Sequence, residues 1–408
     1  MKMWQRQLGI LLFFKIAYML LVTGVVLLFP AEKDSAMGPV EHIHWTPKGH
    51  PTFESYFTTW DAGHYLYLSE HGYHAGHEQC AFYPLWPLLI RWFSIFIGGD
   101  DIISGMVLAN AFSLAGFFIF LRLVSKRFGD RIAWSSVALL LTFPGSVFFQ
   151  FIYSESLFFL LVMILCFGLE QNRFNVASAA AFLLPLTRAV GIFCVLPITV
   201  HLIGQLPADF WQRAGEWIPV TRWIQRCVNT EQPGARGSTT TTQAIGPNWW
   251  LLAAPIYGWS VYFVLMWTWT GNPFEGFEAQ RFWGVQSIKK LLDVPKFAVA
   301  FVSPTCWHGY IGSTLDRLNF VMLLYCLPLI WRVRRSWFAW AIVLGVVPAM
   351  SGHFTSFTRF ESVVFPVPVL LAAWFNKRPS PLRFLALGML IVLHCVLLRR
   401  FLYFEWAG

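Results

Sequence analysis

The sequence predicts an all-α polytopic membrane protein, and three features of its composition support this prediction. Hydrophobic residues make up 56% of the 408 residues and charged residues only 12%, about half of what a soluble protein of this length carries. Aromatic residues reach 18%, with 40 Phe and 21 Trp, which is typical of lipid-facing helices with aromatic belts at both interfaces. The mean hydropathy is +0.54. This composition excludes a soluble enzyme, a disordered chain and a nucleic-acid-binding module.

Apolar runs long enough to cross a bilayer recur along the whole chain. The first follows Lys2 and Arg6 and spans 8–29, about 22 residues, with no small-residue cleavage site after it, so it is predicted to be a transmembrane helix and not a signal peptide. Lys15 in this helix is expected to snorkel towards the cytoplasmic face. About eleven spans are predicted in all. The others are 102–121, 132–150, 154–170, 174–187, 189–205, 249–269, 316–331, 336–350, 361–375 and 383–402.

The basic residues predict how the chain is oriented in the membrane. More than half of the 30 Lys and Arg residues fall in alternate connecting segments, which the positive-inside rule places in the cytoplasm. The N-terminus is therefore predicted to be inside and the C-terminus outside, and the net charge of +9 is explained by topology before any polyanionic partner. The run 82–97 contains Pro84, Pro87 and Arg91, and a crossing there would reverse the rule for the basic segment after it. It is predicted to be an interfacial or re-entrant helix.

The chain is predicted to form a single membrane domain, 1–408, with three long segments between spans. Residues 30–101 and 270–315 form external loops, and the polar, turn-rich stretch 206–247 is a cytoplasmic linker or insert. No internal repeat is visible, which weighs against a secondary transporter. The seven Cys residues show neither a CxxC pair nor a metal-ligand spacing, so no disulfide framework is predicted.

Polar residues near the predicted spans are informative, because each costs several kcal/mol in hydrocarbon unless it is paired or faces water. The first external loop places an acid among aromatic residues, in the run from Trp60 to Tyr73. Further charged residues lie at predicted external helix ends: Glu155, Arg188, His353, Arg359 and Glu361. One face of the protein therefore collects acids, arginines and many rings, a combination that fits a phosphate, a sugar and a lipid tail together.

Five parts of the chain resemble one known family. The run "WDAGHYLYLSEHGY" with "AFYPLWPLL", residues 60–73 and 81–89, is similar to the first-loop signature of the PIG-V family, the second mannosyltransferase of GPI-anchor synthesis, and its bacterial relatives in the GT-C superfamily. The stretch 206–247 matches no part of that pattern, and the chain is expected to be a bacterial relative whose acceptor need not be a GPI precursor. Four further segments resemble the family in the same order: "FPGSVFFQFIYSESLFFLL" at 143–161, "LTRAVG" at 186–191, "TGNPFEGFEAQ" at 270–280 and "TRFESVVFPVPVLLA" at 358–372.

The resemblance implies a GT-C glycosyltransferase fold and a hexosyltransferase that acts at the external face of the membrane. The implied donor is a polyprenyl-phosphate hexose, with mannose as the expected sugar. The implied partners are a lipid-linked or glycan acceptor and membrane lipids, and no nucleic acid. Because the leaving group carries one phosphate, arginines can replace a divalent metal, so a metal-independent inverting displacement without a cofactor is expected. The implied location is the bacterial inner membrane with a periplasmic site, or the endoplasmic reticulum membrane with a lumenal site.

Asp61 is the predicted catalytic base, because it follows Trp60 in the aromatic loop and aligns with the family's first-loop acid. The alternative is a helix N-cap or a salt-bridged surface aspartate. Arg188 and Arg359 are predicted to bind the donor phosphate, since a guanidinium group forks phosphate oxygens and an intramembrane Arg is functional by default. Their alternative is a snorkelling Arg at a helix end. His353 is assigned to the same phosphate site.

Acceptor or sugar binding is predicted for Trp60, His64, Tyr65, Tyr83 and Glu155. Aromatic rings stack on sugars, although most rings in this chain belong to a lipid belt. A His at a membrane interface is more often a packing residue, and no HxH or HExxH spacing indicates a metal. Glu155 either binds an acceptor hydroxyl or pairs with an Arg.

Other functional classes are weighed against this prediction. A lipid-linked-sugar flippase shares the aromatic and basic character, but its charges would line a path through the membrane and not gather at one face. An intramembrane protease needs a Ser/His or paired-Asp arrangement inside helices, and Ser154 and Ser156 have no helical His partner in reach by sequence. A GT-C transferase of another sugar, glucose or an aminopentose, is the nearest alternative, and the sequence does not separate these sugars.

Overall fold

The structure is a computed structural model, and every regular element in the part of the chain that it describes is a helix. No strand occurs in that part, so the all-α prediction is confirmed. His353 and the predicted insert, apart from its first residue, lie outside the described residues. The described residues are 3–30, 52–206, 248–283, 294–306, 310–350, 354, 356–405 and 407.

Sixteen α-helices are named here, and short 3-10 or π-helical turns connect several of them. The helices are α1 (Met3–Leu28), α2 (Asp61–His71), α3 (Leu85–Ser94), α4 (Asp101–Phe128), α5 (Asp130–Thr142), α6 (Glu155–Glu170), α7 (Phe174–Thr187), α8 (Val195–Gly204), α9 (Ala253–Thr270), α10 (Glu275–Glu278), α11 (Val294–Val302), α12 (Tyr310–Val333), α13 (Arg335–Ala341), α14 (Phe357–Glu361), α15 (Pro366–Phe375) and α16 (Ser380–Leu402).

Each predicted apolar run contains a helix, but proline shortens several of them. Pro144 begins a 3-10 turn, Pro144–Phe149, directly after α5, and Pro348 follows the π-helical turn Ile342–Val346 after α13. The predicted number of eleven crossings therefore stays a prediction. Among the described residues, five helices are long and apolar enough to cross a membrane: Met3–Leu28, Asp101–Phe128, Trp249–Thr270, Ser313–Val333 and Ser380–Leu402.

Helix α6 forms the centre of the bundle. Its side chains are buried on nearly all sides, and it packs against α4 and α7, while α7 also packs against α9. A helix that is apolar on every face is expected in such a position. The short helices α2 and α3 of the first loop pack on each other and on α4, so the first loop rests on the helices that end at the site.

Lys15 is held inside the bundle, so the prediction that it snorkels is wrong. Only 4% of the residue is exposed, and its Nζ donates to Gln150 Oε1 at 2.7 Å, to the Phe149 carbonyl at 3.1 Å and to Asn110 Oδ1 at 3.3 Å. The ammonium group also lies 5.4 Å from the centre of the Phe117 ring. The physical reason is that the Phe149 carbonyl and two side-chain amide oxygens lie within reach of Nζ, so the charge finds acceptors inside the protein and need not reach the headgroups.

Candidate active site

Asp61 and Arg359 are each placed by a short helix that begins after a residue with positive φ. Asp61 is the first residue of α2, and the N-cap is Trp60, with φ 55 and ψ −127. Arg359 lies in α14, whose N-cap Ser356 has φ 61 and ψ 21. Such conformations cost free energy for residues other than Gly and persist only where the surroundings impose them. Because Trp60 is the N-cap of α2, the structure does not show the N-cap alternative for Asp61.

An alternating chain of four charges links the predicted base to both predicted phosphate ligands. Glu155, the first residue of α6, is fully buried, and its Oε1 accepts hydrogen bonds from Arg188 Nη1 at 2.5 Å and from Arg359 Nε. Arg359 Nη1 donates in turn to Asp61 Oδ2. Both arginines therefore share one carboxylate oxygen. Of the two alternatives for Glu155, the structure shows the pairing with arginine and not access to an acceptor.

Aromatic rings enclose both guanidinium groups. Arg359 lies 4.6 Å from the centre of the Tyr153 ring and 5.2 Å from that of Phe148, and Arg188 lies 5.1 Å from that of Phe360. Ring faces attract cations and exclude water, which strengthens the ion pairs beside them. The snorkelling alternative for both arginines is contradicted, because their side chains are only 8% and 18% exposed and point to Glu155.

The first loop is bound to the start of α6 by two tyrosine hydroxyls. Tyr65 donates to Ser154 Oγ at 2.8 Å, and Tyr153 donates to the Thr59 carbonyl at 3.1 Å. Burial raises the pKa of Tyr65, so its hydroxyl stays protonated and keeps donating. These bonds fix α2, and with it Asp61, relative to Glu155.

A cavity of about 490 Å³ opens beside this charge chain. Among the described residues, its charged lining side chains are Asp61, Arg188 and Arg359. Its volume is in the range of sites for small-molecule ligands. The remaining lining residues include Tyr65, Ala81, Phe82, Tyr83, Phe158, Val190, Phe193, Trp259, Gly276, Phe277, Gln280, Trp283, Leu344, Val347, Pro348, Phe354, Phe357, Phe360 and Val363.

The predicted sugar-binding residues occupy different places around the cavity. Tyr65 and Tyr83 line it, whereas Trp60 lines a second, much smaller cavity on which Asp61 and Arg359 also border. His64 is buried behind the wall, with its ring stacked on Phe82 at 5.1 Å. Burial lowers the pKa of His64, and the negative charges nearby offset this only in part, so its packing alternative describes it best.

Three positioning features were not predicted from sequence. Trp283 and Gln280 of the second loop line the cavity and contact the first loop. Asp316, buried in α12, accepts a hydrogen bond from the backbone N–H of Thr358 at 2.6 Å and so caps α14. The sequence contains a signal for Asp316, because it is an acid at the start of the apolar run 316–331 and an acid within a membrane needs a partner. No signal marked Trp283, which lies beyond the motif in that loop.

In the described part of the chain, no group of three or more His, Cys, Asp or Glu side chains is arranged to hold a metal ion.

A family model described as mannosyltransferase (PIG-V) matches residues 8–213, just over half of the chain. The chain belongs to this family. The match includes Asp61, Glu155 and Arg188, whereas Arg359 lies beyond it. The resemblance seen in the motifs is thus confirmed. A comparison with curated protein sequences gives no match.

Two solved structures are similar to the PIG-V family member described here. One is ArnT from Cupriavidus metallidurans bound to undecaprenyl phosphate, with 15% identity and a TM-score of 0.49 over 95% of this chain and 64% of that one. The other is the archaeal oligosaccharyltransferase AglB from Archaeoglobus fulgidus in complex with an inhibitory peptide and a dolichol-phosphate. Its identity is 14% and its TM-score 0.41, over 96% of this chain and 55% of that one. The chain therefore spans less than two thirds of the length of either.

Proposed function

We propose that this PIG-V family member is a GT-C-type membrane glycosyltransferase. It moves a hexose, mannose, from a polyprenyl-phosphate donor to a lipid-linked or glycan acceptor at the external face of the membrane. The observation that carries the proposal is the charge chain, in which an acid and two arginines border one cavity and are joined through a buried glutamate. That set provides both a proton acceptor and cations for a phosphate.

The proposed reaction is one inverting displacement. The acceptor hydroxyl oxygen forms a bond to the anomeric carbon, and the bond from that carbon to the phosphate oxygen breaks with its electron pair leaving on the polyprenyl phosphate. Asp61 takes the hydroxyl proton, and Arg188 and Arg359 stabilise the charge that develops on the phosphate. Arginine supplies up to five N–H donors in a planar fork, so each can keep a bond to Glu155 and still bind phosphate oxygens.

The ion pair with Arg359 orients the carboxylate of the proposed base, Asp61. A carboxylate has about four lone-pair sites, and this contact uses Oδ2 only, so Asp61 retains capacity to accept a proton. An arriving phosphate competes for the Arg359 guanidinium and weakens its hold on Asp61. Donor binding thereby makes the carboxylate more available to the acceptor hydroxyl.

The first test is Asp61→Asn, which preserves the shape of the side chain and removes the base. Purified variant is expected to fold and to bind polyprenyl-phosphate mannose, but to lose transfer by roughly a hundredfold or more. Asp100→Asn is the matched control. Asp100 does not line the cavity, and its Oδ1 caps α4 by accepting a hydrogen bond from the backbone N–H of Ile103. Asn caps helices equally well. Near-normal turnover by Asp61→Asn would contradict the proposal.

Arg188→Ala in the same assay separates donor binding from proton transfer. It is expected to weaken donor affinity by roughly ten to a hundredfold, since a charge-assisted contact to a shielded phosphate contributes about 1.5–3 kcal/mol. Arg188→Lys is expected to recover only part of the loss, because the charge remains and the planar fork does not. Unchanged donor affinity in both variants would exclude the phosphate role.

A further inference from the structure

The cavity has two walls of different chemistry. Its helical wall is aliphatic and aromatic and includes Val190, Leu344 and Val363 at the ends of the buried helices. Its loop wall includes Phe82 of the first loop and Gln280 and Trp283 of the second. Among the described lining residues that the two loops contribute, Asp61 is the charged one and none is a cation. The charges Asp61, Arg188 and Arg359 also line the cavity.

The loop wall is held in place by hydrogen bonds between the two external loops. Gln280 Nε2 donates to the Ala81 carbonyl at 3.1 Å, and Trp283 Nε1 donates to the Glu78 carbonyl at 3.4 Å. The backbone N–H of Gly76 donates to Glu275 Oε1 at 2.6 Å, a charge-assisted bond between segments 199 residues apart. The wall therefore needs little ordering when a ligand binds.

Trp283 stands on a preformed aromatic base. The rings of His64 and Phe82 are stacked, and the indole lies perpendicular to both, with centroids 4.9 Å from His64 and 5.5 Å from Phe82. The residue nevertheless remains 36% exposed and lines the cavity. A rigid indole with accessible surface, in a cavity that Asp61 also lines, is an arrangement that a ligand ring can use.

We propose that Trp283 and Gln280 form the acceptor subsite and that this subsite takes an uncharged hexose ring. The inference rests on the proposed function, to which it adds the class of acceptor. A pyranose has an apolar C–H surface that packs on an aromatic ring and hydroxyls at its rim. The Gln280 amide uses one N–H on Ala81, which leaves its second N–H and its carbonyl for such hydroxyls.

The described loop wall is unfavourable for a phosphorylated acceptor ring, because the charge that it contributes to the cavity is the carboxylate of Asp61. An anionic group placed against Phe82 and Trp283 would lose its hydration without a cation to replace it. The two arginines do not compensate, because in the proposed function they are occupied by the donor phosphate. Selectivity for a neutral sugar therefore has two sources. Trp283 and Gln280 contact the sugar, and the environment of the subsite is unfavourable for a charged group.

The test uses octyl α-D-mannoside and its 6-phosphate as acceptors with polyprenyl-phosphate mannose as donor. Trp283→Ala is expected to raise the KM for the neutral acceptor at least tenfold while the donor KM changes by less than twofold. Trp283→Phe, which retains a ring, is expected to recover most of the loss, and thermal unfolding of each variant checks that it is folded. Phe282→Ala is the matched control, because that neighbouring ring is exposed and does not line the cavity.

Binding of octyl α-D-mannoside without donor, followed by saturation-transfer NMR, gives a second readout and is expected to weaken only in the Trp283→Ala variant. Transfer by the wild type with an unchanged acceptor KM in Trp283→Ala, or equal use of the 6-phosphate, would overturn the subsite and leave the proposed function standing. Failure of the wild type to transfer to any acceptor from a donor that it binds would overturn the proposed function itself.

Discussion

At the scale of single residues, the site is a set of buried charges that compensate one another. Two arginines face two carboxylates, and Glu155 is shared by both arginines through one oxygen. Burying an unpaired charge inside a membrane protein costs free energy, because the charge loses its hydration. Each of these four side chains therefore depends on its charged neighbours. The same residues that serve the proposed chemistry therefore also hold α6, α7 and α14 together at the ends that meet at the site.

Glu155→Gln tests this dependence. The substitution keeps the shape of the side chain and leaves two buried guanidinium groups with Asp61 as their acid, so we expect a loss of about 3–5 kcal/mol in stability. Thermal unfolding in detergent, with Glu70→Gln at an exposed loop position as the control, measures the difference. A Glu155 variant as stable as the control would show that the arginines have other sufficient partners.

His64 gives the loop wall a dependence on pH. Burial lowers its pKa below the ordinary value of about 6.5, although Asp61 and Glu78 favour the charged form. The unfolded chain therefore binds more protons than the folded one, and stability is lost as pH falls below about 6.5, by at most about 1.4 kcal/mol per pH unit. Unfolding curves between pH 7.5 and 5 should show this loss in the wild type and a smaller one in His64→Gln.

At the scale of elements, α14 is too short to be stable by itself and is positioned entirely by contacts. Isolated helices of five residues do not persist in water. Asp316 caps its first turn, Asn319 donates to Thr358 Oγ1 at 3.0 Å, and the turn Pro144–Phe149 approaches its backbone at Gly145. Arg359 thus reaches the cavity because two distant parts of the chain, α12 and the turn Pro144–Phe149, fix this helix.

Gly145→Ala is the corresponding prediction. A Cβ at this position would collide with the backbone of Thr358, which cannot move as a side chain can, so α14 must shift. We expect a loss of about 1–3 kcal/mol in stability and reduced donor affinity. Gly388→Ala in α16 is the control, since open space surrounds that position and Ala favours a helix. Equal behaviour of the two variants in thermal unfolding and donor binding would contradict this account of α14.

At the scale of the whole molecule, the two long loops that border the cavity meet although the intervening helices separate them in sequence. Contacts between 74–83 and 275–283 close one side of the cavity, so both loops must lie on the same face of the membrane. This agrees with the orientation predicted from the basic residues, in which 30–101 and 270–315 are both external. The side of the membrane itself is a prediction.

A reporter inserted after Gly237 is therefore expected in the cytoplasm, and one fused to the C-terminus outside. Paired alkaline phosphatase and fluorescent protein fusions at each position measure this, because each reporter is active on one side only. The reverse pattern at both positions would invert the membrane face assigned to the site, while both reporters on one side would change the number of crossings.

Composition and local pattern predicted the helical membrane fold and several charged residues at the site, and the resemblance of five sequence motifs predicted the family. These properties are local. Long apolar runs form membrane helices, and a polar residue in such a run needs a partner, contact with water or a functional role. Arg188 and Arg359 were predicted by this rule, whereas Asp61 was predicted from its place in the aromatic loop and its resemblance to the first-loop acid of the family. Tyr65 and Tyr83 were recognised as rings beside them.

Only the tertiary structure decided which of these groups meet. Asp61 and Arg359 are separated by 298 residues, and Glu155 and Arg359 by 204, so their pairing depends on how distant helices pack. The same is true of Lys15, whose acceptors lie up to 135 residues away, and of Trp283, whose place over His64 follows from contact between two loops. The pairing of charges is determined by the three-dimensional packing of the bundle, because in a low-dielectric interior each charge is stabilised by whatever group lies within a few ångströms of it.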